Sequence, residues 1–439
     1  MMKIGVVCLL AAPLAAQALA PAPAPRAVPL ADLVQEAEAA NPVLLAAQHA
    51  WRAARQEPSQ AGALPDPELE FSTMNVGGPL PLTGLPDQMM GYAGIGVKET
   101  FPWFGKLRLR AAGAERQAQV AKENLDSLRR KVRAEVASAY FQIAGLRQTL
   151  AVLRRDRRVL AAVAHVATER FSLGQGQEAD VLRAQVEMTR LLAERTVQQQ
   201  RQAEAEARLK ELLNRPMDAP AITPEPLQES PLPAMPAAGL AANPALRASA
   251  LETARRQLEV KLARRNFYPD LQAAYMYQAT GPGFPYRSSL TVGISLPLFW
   301  RRKQSAALAA ASEQEAAARD HDLAEHEQLN YLARQWILQA RADTKLLHIY
   351  RDGLMPQALA SWQAALSSYE TGQEDFASAM AVFLNYQNLR EAYWRTLAQH
   401  EIALARLREV VGPGAGAAAG ATAGPAGSTR HLPQPGADR

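Results

Sequence analysis

The chain has 439 residues, 48% of them hydrophobic, 21% charged and 6% aromatic, with a formal net charge of +5. Such a composition folds, and its arginines (Arg129, Arg130, Arg154 and Arg155 among them) are scattered over helix surfaces without an aromatic platform, which speaks against nucleic acid as a partner. The single cysteine, Cys8, lies in an N-terminal apolar run, which excludes a disulfide framework, a thiolate site and a lipid-bearing N-terminal cysteine from the mature chain.

Met1-Met2-Lys3, the apolar run Ile4 to Leu14 and the small residues Ala15 to Ala20 read as a secretory signal peptide, residues 1–18, with cleavage after Ala16-Gln17-Ala18 favoured over cleavage after Ala20, which would leave Pro21 first. The run falls well short of the roughly 20 apolar residues that a membrane span needs. No later stretch is long and apolar enough to be one, so a membrane role must come from strands. A Pro/Ala-rich leader occupies 19–29.

Residues 30–214 form a first structural unit. Leu30 to Gln60 is helical, with Asn41-Pro42 near its middle or at a restart, and Leu64-Pro65-Asp66-Pro67 stops it. Glu68 to Ser72 alternates polar and apolar with period two, a Gly- and Pro-rich loop runs from Gly77 to Gly91, and Tyr92 to Phe101 is a second strand, together a β-hairpin. Lys106 to Phe171 has no proline and only two glycines, Gly113 and Gly145, in 66 residues. It reads as one helix, roughly 100 Å long at about 1.5 Å per residue. Its apolar positions (Leu125, Leu128, Val132, Val136, Ala139, Ile143, Leu146, Leu150, Leu153) step by three and four as a coiled-coil seam does, with a stutter at Val132 to Val136. Ser172 to Gly176 supplies two glycines for a reversal, and helix resumes to Asn214.

A proline-rich connector, 215–240, separates this unit from a second, 241–412, that repeats it. Ala242-Asn243-Pro244 echoes Ala40-Asn41-Pro42, and Tyr268-Pro269-Asp270 echoes Leu64-Pro65-Asp66. Gly293 to Lys303 answers Gly96 to Lys106, and Tyr369 to Gln373 answers Phe171 to Gln175. The offset stays between 197 and 204 residues, a persistence that marks an internal repeat. Each unit is helix, hairpin, long helix, turn, helix. Residues 413–439, rich in Gly, Ala and Pro, have too little apolar content to bury a core and read as a disordered tail.

The strands of the second unit alternate clearly. Leu271, Ala273, Tyr275 and Tyr277 oppose Gln272, Ala274, Met276 and Gln278, while Leu290, Val292, Ile294 and Leu296 oppose Ser289, Thr291, Gly293 and Ser295. That dyad pattern, with aromatics such as Trp103, Phe104, Phe299 and Trp300 near the strand ends, fits a transmembrane β-barrel whose polar face lines water. Four strands cannot close a barrel, and lipid does not tolerate open edges, so several chains must contribute. Ala31 to Gln60 and Gln177 to Asn214 sum to 68 residues, enough to stack end to end beside the long helix and make a tall helical wall.

The sequence resembles the TolC family of outer-membrane efflux ducts. The resemblance rests on the duplicated plan, Leu64-Pro65-Asp66-Pro67, Phe101-Pro102-Trp103-Phe104-Gly105-Lys106, and Gly174 followed by Asp180-Val181-Leu182, and it runs from Leu30 to Gly412. It implies a mainly α fold with a small β part: coiled-coil hairpins forming an α-barrel, and four amphipathic strands contributing to a trimeric, twelve-stranded barrel in outer-membrane lipid. It implies a homotrimer docked on a periplasmic adaptor (membrane fusion) protein and an inner-membrane pump. The proline-rich motifs look most like the branch serving heavy-metal pumps of the resistance-nodulation-division type. The second turn departs from the pattern with Ser378-Ala379-Met380, and the lipid-bearing cysteine of many relatives is missing.

The two turns, Leu173-Gly174-Gln175-Gly176 and Thr371-Gly372-Gln373, are the expected periplasmic tip and adaptor contact. Glu178, Asp180, Glu374 and Asp375 beside them are either an acidic ring at the tunnel mouth or helix-start carboxylates favoured by the helix dipole. No convergent acid, base or nucleophile points to an enzyme, and no cofactor or resident metal site is expected. His321 and His326 fall on different helix faces, and Met74, Met89, Met90 and Met276 are first of all packing residues. The alternative function is a periplasmic coiled-coil adaptor of an export system, which would carry one hairpin flanked by soluble β-domains.

Overall fold

The computed structural model describes residues 27–74, 91–233, 240–280 and 285–412. The signal peptide, residues 19–26 of the leader, residues 77–90 of the first loop and the 413–439 tail lie outside the described residues.

The first unit begins with α1 (Leu30–Ala40), α2 (Pro42–Ala54) and α3 (Glu57–Gly62). The expected Leu30 to Gln60 helix is thus three pieces, of which the restart at Asn41-Pro42 has a local cause. Pro42 has no N–H to continue the ladder and holds Asn41 in an extended conformation, ψ 121°. Asn41 then caps α2 by accepting from the Val43 and Leu44 N–H groups, and its amide donates to the Leu212 carbonyl at 2.9 Å. Asn243 does the same in the second unit, accepting from Ala245 and donating to the Val410 carbonyl at 2.7 Å. The repeated Ala-Asn-Pro is therefore a joint that stops one helix end against another.

Next come β1 (Glu68–Met74), β2 (Tyr92–Phe101), the 67-residue α4 (Lys106–Ser172) and α5 (Glu178–Leu212). The second unit holds α6 (Pro244–Arg265), β3 (Asp270–Thr280), β4 (Arg287–Ser295), α7 (Gln304–His348), α8 (Met355–Glu370) and α9 (Phe376–Val411). A π-helical segment, Ile349–Leu354, joins α7 to α8. Pro356 sits just after it; its ring collides with the carbonyl four residues back in a regular helix, and the wider π spacing relieves that collision. The repeat alone predicts a plain long helix in this arm.

The strands form one antiparallel sheet in the order β1-β2-β3-β4. The α4 seam is the spine of the molecule: Leu125, Val132, Val136 and Ile143 pack with Leu33 and Leu44 of α1 and α2 and Leu209 of α5. Further along, Leu153, Leu160 and Val163 meet Leu191 of α5, Trp362 of α8 and Phe383 of α9. Among the described residues, no helix is long and apolar enough to cross a membrane.

Candidate functional site

The sheet has two chemically distinct faces. The register pairs Leu69 with Val97, Val97 with Tyr275 and Tyr275 with Leu290, and one step on pairs Phe71 with Ile95 and Ile95 with Tyr277. All seven residues point to the same side and are exposed, as are Val292 and Ile294 on that side. The opposite side carries Glu68, Glu70, Lys98, Gln272, Gln278, Ser289 and Thr291, with Lys98 3.3 Å from Glu68. Gly94 and Gly96 lie on this polar side beside Met276. A Cβ on Gly96 would come within 3.0 Å of the Met276 sulfur and of the Tyr275 carbonyl oxygen, so only glycine fits there. Met74 shares this side; Met89 and Met90 lie outside the described residues.

Where the strands hand over to helices, the two repeats are tied together. Lys106, the first residue of α4, is 3% exposed; its Nζ reaches Asp270 Oδ1 at 2.8 Å and the Tyr268 carbonyl at 3.0 Å. The Trp103 N–H donates to the same Asp270 oxygen at 2.7 Å, and the Trp103 and Tyr268 rings stack 5.6 Å apart. Gly105 takes φ +87° to start α4, a conformation that glycine reaches without steric cost. The Phe-Pro-Trp-Phe-Gly-Lys motif is therefore one half of an ion-paired joint whose other half is Tyr-Pro-Asp.

The far end is built from the two turns. Gly174 has φ +72° and Gly372 φ +78°. In each, the glycine N–H and the next N–H bond back to helix carbonyls, Gln175 to Arg170 at 2.8 Å and Gln373 to Ser368 at 2.8 Å. These are Schellman closures. Gly176, the other glycine expected to reverse the chain, is instead packed against the Arg170 backbone. Leu173, Gly174 and Gln175 are exposed, and so are Thr371, Gly372 and Gln373. The structure brings the two turns into contact through Arg170, whose guanidinium donates to the Tyr369 carbonyl and to the Gln175 carbonyl and lies 4.9 Å over the Tyr369 ring.

The four expected carboxylates divide by environment. Asp375 is the α9 N-cap, accepting from the Ser378 N–H at 2.7 Å. That bond, more than the nearby charge of Arg183, holds its carboxyl below the usual range. Asp180 is half-buried and lies near Tyr369. Burial first, and Asp180 second, push the Tyr369 phenol up. Glu178 is exposed and Glu374 half-buried.

Sequence reasoning missed the polar groups inside the wall. Asp156 of α4 is 1% exposed and pairs with Arg390 of α9, whose guanidinium lies 4.4 Å over the Tyr386 ring. Burial raises the Asp156 carboxyl despite Arg390. The apolar series breaks between Leu153 and Leu160, a break that the sequence assigns to Arg157; Arg157 is exposed, and Asp156 is the buried residue at that step. Arg170 and Tyr369, the tip bridge, left no such trace. Among the described residues, no group of three or more His, Cys, Asp or Glu is placed to hold a metal ion.

An amphipathic sheet carried at one end of long paired hairpins is the fold of outer-membrane channels, and residues 33–215 match the family model described as outer membrane efflux protein. On this match the chain functions as an outer-membrane efflux channel. The chain is 26% identical over 329 residues, 70% of its length and 74% of the relative's, to the cobalt-zinc-cadmium resistance protein CzcC of Cupriavidus metallidurans. Its fold matches the outer membrane protein VceC of Vibrio cholerae with a TM-score of 0.76 at 18% identity, covering 87% of this chain and 96% of that one. It also matches CusC with a TM-score of 0.75 at 15% identity, covering 87% and 92%. The CusC structure is described as forming a transmembrane channel. The adaptor alternative gives way, because the strands form one amphipathic sheet and each repeat builds its own hairpin.

Proposed function

We propose that the channel works as a homotrimer, the outer-membrane component of a tripartite system fed by an inner-membrane resistance-nodulation-division pump through a periplasmic adaptor protein, and that heavy-metal cations are its cargo. One observation carries the reading. A four-stranded sheet with an exposed apolar side and two edges open in the single chain stands at one end of a 67-residue helix, and two paired turns stand at the other, about 100 Å away by helix rise. Lipid covers the apolar side, further copies close the edges, and the polar side lines water. Leu173 to Gly176 and Thr371 to Gln373 form the mouth where the adaptor docks. The printed name of the curated relative, a cobalt-zinc-cadmium resistance protein, supports metal cargo. A duct needs no tight metal site, since cargo must leave as readily as it arrives. Glu178, Asp180, Glu374 and Asp375, repeated around a ring, give the mouth its preference for cations.

Deleting the gene should sensitise cells to cobalt, zinc and cadmium and leave tolerance to dyes and detergents unchanged. The protein should fractionate with the outer membrane and run as a trimer in mild detergent. The opposite sensitivity pattern would remove metals as cargo, and a soluble monomer would remove the channel assembly.

A further inference from the structure

The joint between Lys106 and Asp270 has a second, unmade copy in the same chain. By the repeat, Lys303 stands where Lys106 stands, 197 residues on, and Asp66 stands where Asp270 stands, 204 residues back. Because β2 and β3 are neighbours in the sheet, the first-unit lysine meets the second-unit aspartate. The other lysine and aspartate follow β4 and precede β1, the two outer edges. Both are exposed, and among the described residues neither forms an ion pair, unlike Lys106 with Asp270.

The same operation transfers the register. Val97 opposite Tyr275 becomes Ile294 opposite Phe71, and Ile95 opposite Tyr277 becomes Val292 opposite Thr73. Nothing in that arithmetic obliges the faces to agree, yet Ile294, Phe71 and Val292 all lie on the apolar side, where they are 54%, 69% and 72% exposed. A slip of one residue would set Ile294 against Glu70 or Ser72 of the polar side, which a half-greasy sheet forbids. Trp300, in the place of Trp103, is likewise exposed, and so is Leu64, in the place of Tyr268.

We propose that the β4 edge of one copy takes the β1 edge of a second copy of this chain with Ile294 opposite Phe71, and that Lys303 of one copy and Asp66 of the next form an ion pair that repeats the Lys106–Asp270 joint across the boundary. The proposal rests on the multimeric channel set out above, and adds to it which strands meet, in which register, and which charge pair holds them. A lysine placed once inside the chain and once between chains gives the ring the same joint at every handover from strand to helix.

The test uses the full chain in outer-membrane extracts. Phe71→Cys with Ile294→Cys should give a ladder of covalently linked chains on mild oxidation, because directly opposed strand residues lie within disulfide reach. Phe71→Cys with Leu290→Cys, four residues out of register, should not. Separately, Lys303→Asp and Asp66→Lys should each lower by several-fold the trimer surviving in SDS at a temperature that spares the native protein, with helical circular dichroism unchanged. The two together should recover most of that loss. A ladder only at the shifted pair, or a trimer with none at Phe71/Ile294, overturns the register, and no recovery in the double swap overturns the ion pair. A monomer in mild detergent strikes the trimer reading itself.

Discussion

The two long arms have the same length and different fates. α4 runs 67 residues without a break and buries 21 of them. The Gln304–Glu370 arm covers the same span, but its α7 portion buries only six of 45 residues, and it is interrupted by the π segment. α4 is covered within the chain by α1, α2, α3, α5, α6 and α9. α7 leaves Leu323, Tyr331 and Leu338 exposed. The repeat therefore reproduces the outline of an arm without reproducing its environment: one arm is the spine of the chain, and the other keeps an exposed apolar face.

The largest effect should come from breaking the polar lock inside the spine. Arg390→Met leaves the buried Asp156 without its partner, which should cost about 3–5 kcal/mol of stability in the helical wall. Asp156→Leu combined with Arg390→Met should regain most of it, since an apolar pair of similar volume suits the site. Thermal unfolding followed by helical circular dichroism decides; equal losses in the single and double variants would mean that the pair is not coupled.

Next in size is the tip. Gly372→Val forces a β-branched residue to φ +78° beside the Arg170 guanidinium, a strain of about 1–3 kcal/mol. Gly174→Val, with open space around its Cβ position, carries the backbone strain alone. Both should weaken adaptor binding in a pull-down while the trimer persists, Gly372→Val more than Gly174→Val. Binding at the native level in both would assign the tip no role in docking.

The comparison between arms is sharpened by Leu338→Ala. Leu338 is 62% exposed on α7, so this truncation should barely change the unfolding of isolated chains, since surface changes usually stay within about 0.5 kcal/mol. In the assembled channel it should lower the temperature at which the trimer dissociates. An unchanged trimer would mean that α7 faces solvent in the ring.

How much of this was legible follows from the range of the interactions. The sheet, the α4 helix and both turns rest on patterns within a few tens of residues: period two in Leu271 to Gln278, steps of three and four from Leu125 to Leu153, Gly174 and Gly372 just past helix ends. The repeat added the long-range match of Lys106 to Lys303. Illegible were the contacts made by side chains with no pattern of their own. Arg170 looks like any surface arginine until the second hairpin places the Tyr369 carbonyl beside it. Asn41 marked the repeat, but its bond to Leu212 requires knowing that α5 ends there. The π segment was foreshadowed by Gly353 and Pro356, which resemble an ordinary turn signal and are absorbed instead by one widened helical turn.

The smallest expected effect separates wall from tip by the sign of its pH dependence. In the wall, burial pushes Glu391 up; Gln387 offsets this only in part, and Glu194 and Asp156 add to it. A carboxyl raised in the folded state holds a proton that the unfolded chain has released. Its contribution is fully present below the ordinary glutamate value of 4.5 and is lost as pH rises through the folded value. Asp375 at the tip is lowered by its bond from the Ser378 N–H; its contribution is present above the ordinary aspartate value and is lost as pH falls through the folded one. Glu391→Gln should therefore flatten the decline of the unfolding midpoint between pH 4.5 and neutrality. Asp375→Asn should change only the acid side, and by less, because the group is exposed and screened. In single-channel recordings Asp375→Asn with Glu374→Gln should also relax cation preference. Unchanged selectivity, with the acid-side shift still present, would reduce Asp375 to a helix cap and leave any acidic ring to Glu178 and Asp180.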